Sequence, residues 1–160
     1  MAAEFPPPGF LQWGRSGVDP YEEHVGPFYQ NPDQQTMTML VTPRMCNALG
    51  ILHGGALMSF CDAALYVIAR EHTYETTGRV FVTFSFSIDF LSRCRAGAQV
   101  LAGGEVVKVS ADKDLILVHG WAKAGSDGGR LLATFRGMLR FAGPASIPGH
   151  RGNKDQLARL

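Results

Sequence analysis

The sequence predicts an α+β fold in which a curved antiparallel sheet wraps around one long central helix. Three observations predict it. The segment from Gly54 to His72 contains no proline and is apolar on nearly every side when placed at 100° per residue, with a narrow polar sector near Ser59 and Arg70. Four later segments alternate with a period of two, as strands do. The links between those segments are short and carry the Asp and Gly residues of tight reversals, so consecutive strands run antiparallel.

Residues 1–33 form an irregular N-terminal lead-in. Pro6–Pro8, Gly9, Gly14, Gly17, Pro20, Gly26, Pro27 and Pro32 break it too often for long elements. Its "GPFYQN" stretch reads as a short docking segment. The main domain spans 34–143. It opens with "QQTMTMLV" (Gln34–Val41), in which Met37 and Met39 alternate with polar neighbours as in a half-buried strand that Pro43 ends.

The helix follows, from the weak formers Gly54-Gly55 into the strong formers "ALMSFCDAALYVIAR". Its length is about 27 Å at 1.5 Å per residue, comparable to a strand of about eight residues. The strands come next. "GRVFVTFSFSIDFL" (Gly78–Leu91) is the clearest, and its Phe84, Phe86 and Phe90 read as core. "AQVLAGGEVVKVS" (Ala98–Ser110), "LILVHGWAKAG" (Leu115–Gly125) and "RLLATFRGMLRFAG" (Arg130–Gly143) complete the set, separated by "ADKD" and "SDGG". The Gly103-Gly104 pair marks a bulge or bend. Residues 144–160 lose all pattern and read as a loose C-terminal tail.

One apolar helix cannot cover both faces and all edges of such a sheet, so a symmetric partner is expected. At 160 residues the chain is one domain in size, and folding buries roughly 70% of the surface that the unfolded chain exposes. Lys+Arg 15 against Asp+Glu 14 gives a formal charge of +1, which provides no global field for nucleic acid or an anionic membrane. The 3 cysteines, Cys46, Cys61 and Cys94, are widely spaced without a CxxC pair, which fits a reducing, cytoplasmic compartment. The "MAAEFPPPGF" start lacks the basic and apolar regions of an export signal. Ile51–Ala69 is long enough to raise the question of a membrane span, but a central Asp costs roughly 2.5–3.5 kcal/mol there. No metal is expected, because the histidines show no ligand spacing with Cys or carboxylates.

That central carboxylate, Asp62, is the unusual feature of the helix. A charge survives in such a run when it is paired with polar groups or when it acts on a ligand, and the residue type leaves both open. Its context narrows the choice. "NALGILHGGALMSFCD" (Asn47–Asp62) resembles the signature of hotdog-fold thioesterases of the phenylacetic-acid-degradation (PaaI-like) type, in its Asn47, its Gly50, its His53-Gly54-Gly55 step and an Asp nine residues after the His. "SIDFLSRCRAG" further resembles the strand end of that family, with a departure where the family usually has a proline.

The resemblance implies a homodimer, in some members a dimer of dimers, that hydrolyses acyl-CoA thioesters at sites shared between subunits. It needs no cofactor, because coenzyme A is part of the substrate. By position, Asp62 matches the catalytic carboxylate, acting as general base or nucleophile. Gly54 matches the residue whose backbone N–H polarises the thioester carbonyl, with Asn47 and His53 around it. Thr83 falls where related enzymes carry a Ser or Thr that helps hold the attacking water. Gly55 belongs to the same substrate-binding turn, and Arg93 and Arg95 are placed to meet CoA phosphates.

Physical chemistry supports part of this independently. A helix start offers N–H groups without internal partners and a dipole that favours negative charge, and glycine lets a substrate approach the main chain. Asp62 lies about 12 Å further along the axis by helical rise, too far to share one reacting carbon easily with Gly54 of its own chain. A site completed by a second copy follows from that spacing.

Other readings of these residues exist. Asp62 as a structural carboxylate, His53 as a hydrogen-bonded structural histidine and Asn47 as a turn residue are the plain ones. Cys61 or Cys46 as a thiol nucleophile lacks a local signature. Phe81 and Trp121 are candidates for an acyl tunnel, and Lys108, Lys123, Arg136 and Arg140 read as a solvated face. An enoyl-CoA hydratase on the same scaffold, or a non-catalytic acyl-CoA-binding protein, are the rival functions.

Overall fold

The computed structural model describes residues 5–14, 19–125 and 129–144. Its elements are β1 (Leu11–Gln12), α1 (Pro20–Val25), β2 (Tyr29–Asn31), β3 (Thr36–Leu40), α2 (Gly54–Ile68), α3 (Tyr74–Thr77), β4 (Arg79–Phe90), β5 (Gln99–Val109), β6 (Leu115–Ala124) and β7 (Leu131–Pro144). The strands form one 7-stranded sheet in the order β1-β2-β3-β5-β6-β7-β4. Every neighbouring pair is antiparallel. Helix α2 packs on one face of it, as the apolar periodicity requires. The tail from 145 onward and residues 126–128 of the "SDGG" reversal lie outside the described residues.

Phe60, Leu65 and Ile68 of α2 are sealed against Met37, Val118 and Leu139 of the sheet. Each such side chain contributes about 1.5–3 kcal/mol relative to leaving it exposed. Helix and sheet approach tightly at Gly137, where an added Cβ would stand 2.3 Å from Leu65 Cδ1. The lead-in joins this core: Phe28 is buried and packs edge-on to Phe60 with ring centroids 5.3 Å apart.

Two details depart from the sequence expectation. The helix ends at Ile68 rather than at His72, giving way to a 3-10 turn over Arg70–His72 and then to α3. Ala69 caps the helix at ψ 14° with its N–H bonded to the Leu65 carbonyl, and Thr73, at φ −102° and ψ −172°, separates the 3-10 turn from α3. The second departure concerns Gly103-Gly104, which pairs in register with Trp121 and Gly120. The bulge comes later, between Val106 and Lys108. At Gly104 a Cβ would meet His119 O at 2.1 Å, so that glycine serves close strand approach.

A bulge in β4 sets the faces of the strand beside α2. Thr83 pairs with Leu139 and Ser85 with Met138, which leaves Phe84 as the extra residue. Strict alternation would put Thr83 and Phe86 on opposite faces; the bulge brings both to the helix side. Of the three phenylalanines expected in the core, Phe86 packs there, against Phe135. Phe84 and Phe90 are 58% and 52% exposed. Among the described residues, strand β4 is the sheet edge and pairs only with β7.

Because Gly137 has no room for a side chain, Gly137→Ala is expected to overpack the helix–sheet contact and cost about 1–3 kcal/mol in urea unfolding. An unchanged midpoint would show that Leu65 yields freely.

Candidate active site

The N-terminal end of α2 is built by hydrogen bonds from its own loop. Asn47 Oδ1 accepts from the Leu49 N–H at 2.9 Å and the Ile51 N–H at 3.4 Å, shaping a tight turn in which Gly50 takes a left-handed φ of 69°. The chain then reaches His53, the N-cap. Its ring Nδ1 accepts from the Gly55 N–H at 2.9 Å. The Gly55 donor is thereby used, whereas the Gly54 N–H, first in the helix, has no intrahelical acceptor. Gly54 lies against Phe90: a Cβ there would stand 3.3 Å from the ring.

A cavity of about 330 Å³ opens at this end, lined by Asn47, Gly54, Leu57, Phe90, Arg93 and Leu132 among others. The structure therefore brings together Asn47, Gly54 and Arg93. Arg95 is exposed and pairs through its backbone with Ile51, outside the cavity lining. Phe81 and Trp121 do not line it either. Phe81 packs on Phe141, and Trp121 lies over Gly103 with the Lys123 ammonium 4.4 Å from its ring. Lys108, Arg136 and Arg140 are exposed, as a solvated face would be.

Asp62 stands elsewhere on the same helix. The sheet covers α2 except along one stripe, where Gly55 and Met58 are exposed and Ser59, Asp62 and Tyr66 half-buried. These positions recur every three or four residues and so share a face. On that stripe Asp62 Oδ1 accepts from Thr83 Oγ1 at 2.9 Å, and Thr83 Oγ1 lies 3.1 Å from the Tyr66 hydroxyl. Burial pushes the Asp62 carboxyl above its ordinary value, and the Thr83 bond opposes that rise. Thus Asp62 and Thr83 form one group and Asn47, Gly54, His53 and Arg93 another, about 12 Å apart along the helix.

Sequence reasoning missed two contributors. Tyr66 follows Asp62 by four residues, a spacing that places it on the same face and was a readable signal. Glu22 comes from α1, which lies across the stripe through a 2.8 Å contact between the Tyr21 hydroxyl and Ser59 Oγ. The Trp13 indole N–H donates to Glu22 Oε2 at 2.9 Å. Burial raises the Glu22 carboxyl most, with Asp19 and Asp62 adding to the rise and Trp13 opposing it. No local pattern in the lead-in announces this placement.

Cys61 and Cys94 are not poised as nucleophiles. Cys61 is fully buried, and burial, then the Asp62 charge, push its thiol far up. Burial likewise raises Cys94. Among the described residues no three His, Cys, Asp or Glu side chains are grouped to hold a metal ion, and no helix is long and apolar enough to cross a membrane.

The model of the thioesterase superfamily matches residues 49–128, half of the chain. The chain belongs to that superfamily, and its sheet and central helix are the hotdog fold. Among solved structures it is similar to the PaaI protein from the phenylacetic acid degradation operon of E. coli, at 24% identity over 74% of this chain and 75% of that one, with a TM-score of 0.59. A hypothetical thioesterase of Streptococcus pneumoniae, solved with coenzyme A, is 19% identical over 74% and 81% of the two chains, TM-score 0.58. A Streptococcus mutans protein bound to acetyl CoA is 21% identical over 69% and 82%, TM-score 0.58. No curated protein matches the sequence.

Since His53 caps α2 through its ring, His53→Ala is expected to lower stability by roughly 1 kcal/mol in urea unfolding, and His53→Asn to restore most of it. Equal stability of the alanine variant would show that the cap contributes nothing.

Proposed function

We propose that the protein is an acyl-CoA thioesterase whose site is completed by two copies of the chain. The observation that carries this reading is Asp62: a half-buried carboxylate held by a hydroxyl from β4, on the one stripe of α2 that the protomer's own sheet leaves open. That stripe runs beside β4, a 12-residue edge strand with Val82 and Phe84 exposed. Such an edge invites pairing with a second copy. A two-fold axis there carries the Asn47–Gly54 end of one protomer toward Asp62 of its partner. Membership of the thioesterase superfamily supports the reaction class, and neighbours solved with coenzyme A or acetyl CoA support the ligand.

In this site the thioester carbonyl oxygen accepts from the Gly54 N–H, reinforced by the helix dipole, as negative charge develops. Asn47 lines the same cavity and Arg93 offers a guanidinium for a phosphate of CoA. Asp62 of the other protomer takes a proton from the water that attacks the carbonyl carbon, or attacks that carbon itself to form a mixed anhydride that water then hydrolyses. In either route the CoA thiolate leaves and takes up a proton. The products are the free acid and the thiol, with no cofactor consumed.

A panel of short, medium and aryl acyl-CoAs tests the reading, with crotonyl-CoA hydration as the rival assay. Asp62→Ala is expected to lower kcat by about a hundredfold or more. Wild-type turnover should fall on the acid side with a midpoint above the usual carboxylate range, because burial raises Asp62. The same shift predicts a stability effect. A carboxyl raised in the folded state stabilises the fold at low pH and loses that contribution as pH rises through its folded pKa, so Asp62→Asn should melt higher than wild type at neutral pH. The difference should vanish below the ordinary carboxylate range. Undiminished hydrolysis by the alanine variant, or hydration without ester cleavage, would contradict the proposal.

A further inference from the structure

This inference rests on Asp62 serving as the base or nucleophile of the thioesterase reading. Ionised for either task, a carboxylate only accepts hydrogen bonds, so the 2.9 Å bond to Asp62 Oδ1 is donated by Thr83. The Thr83 hydroxyl carries one proton and has then spent it. The Tyr66 hydroxyl, 3.1 Å from the same oxygen, must therefore be the donor in their contact. Bonds run one way, from Tyr66 to Thr83 to Asp62. Thr83 meets an attacking water only as an acceptor, through its remaining lone pair, and does not donate to it.

We propose that Tyr66 is a positioning residue of the candidate site: its hydroxyl fixes the Thr83 rotor so that the Thr83 proton stays on Asp62 Oδ1, directing Oδ2 to the reacting water or carbon. A phenol at this place has the right reach and chemistry. It projects from the same helix face one turn beyond Asp62, its ring is half-buried, and its high proton affinity, raised first by burial, keeps it a donor. Donation into Thr83 also polarises the Thr83 O–H, which strengthens the bond to the carboxylate. The relay thereby keeps a partly desolvated base ionised, with no cation beside it among the described residues. Among the described residues, the other titratable groups facing Asp62 are Glu22 of α1, whose charge and that of Asp62 act on each other, and Cys61, a buried neutral thiol.

Tyr66→Phe keeps the ring and deletes only the hydroxyl. Carbon NMR titration of the Asp62 carboxyl reads the relay without any turnover, and the pH profile of kcat/KM reads it through the reaction. Both midpoints are expected to move to higher pH in Tyr66→Phe, with kcat lowered roughly three- to tenfold and KM little changed. Thr83→Val should move the titration further. Adding Tyr66→Phe to Thr83→Val should then move it no more, because the relay is already cut. An Asp62 titration unmoved by Tyr66→Phe, or two shifts that simply add, would overturn the proposal. The NMR titration gives its answer whether or not any ester is hydrolysed, so failure of the relay and failure of the thioesterase reading are separate results.

Discussion

The structure depends on one constraint: a helix that is apolar nearly all round, lying on a sheet that covers all of it except a stripe. Leu57, Phe60, Leu65 and Ile68 are sealed by the sheet, whereas Gly55, Met58, Ser59, Asp62 and Tyr66 are not. Everything chemically distinctive about the chain lies on that stripe or at its N-terminal end. The uncovered apolar side chains Met58 and, on the adjoining edge strand, Val82 and Phe84 are surface that a second protomer would remove from water. The same geometry separates Gly54 and Asp62 along a single rod, so the requirement for burial and the requirement for a complete site point to the same arrangement.

The stripe also explains how a carboxylate is tolerated. Asp62 has two hydroxyls in series behind it, and among the described residues no cation stands among the groups that shift its proton affinity. A guanidinium in that role would hold the carboxyl low and quench it as a base; neutral donors keep it ionisable yet reactive. The bulge at Phe84 is what allows this, because without the extra residue Thr83 would turn to the outer face whenever Phe86 turned to the core. A local irregularity in the sheet thus places a functional hydroxyl.

Much of this was legible in the sequence. The apolar run read over 54–72, the alternation of the strands and the anomaly of Asp62 pointed to the α+β architecture and singled out the carboxylate, since each is a property of residues close in the chain. The His53-Gly54 step marked the helix start for the same reason, and the ring cap is a local contact. What escaped depended on contacts between distant segments. The helix stops at Ile68, where Ala69 caps it and a 3-10 turn takes over, a change that helix propensity does not decide. Phe84 leaves the core as the extra residue of a bulge that strict alternation cannot express, whereas Phe90, on the helix side, lines the cavity beside Gly54. The lead-in, read as irregular, crosses the stripe and brings Tyr21 and Glu22 beside the site through pairings of Trp13, Phe28 and Ser59 that no short pattern encodes.

Complementation between two inactive variants tests the shared site most directly. Gly54→Pro deletes the one N–H while keeping the helix, because proline suits the first helical position and His53 is already extended at ψ 135°. Mixed with Asp62→Asn under conditions of subunit exchange, it should restore about a quarter of wild-type activity, since half of the dimers are mixed and each holds one intact site. Mixed dimers that form and stay inactive would contradict the account.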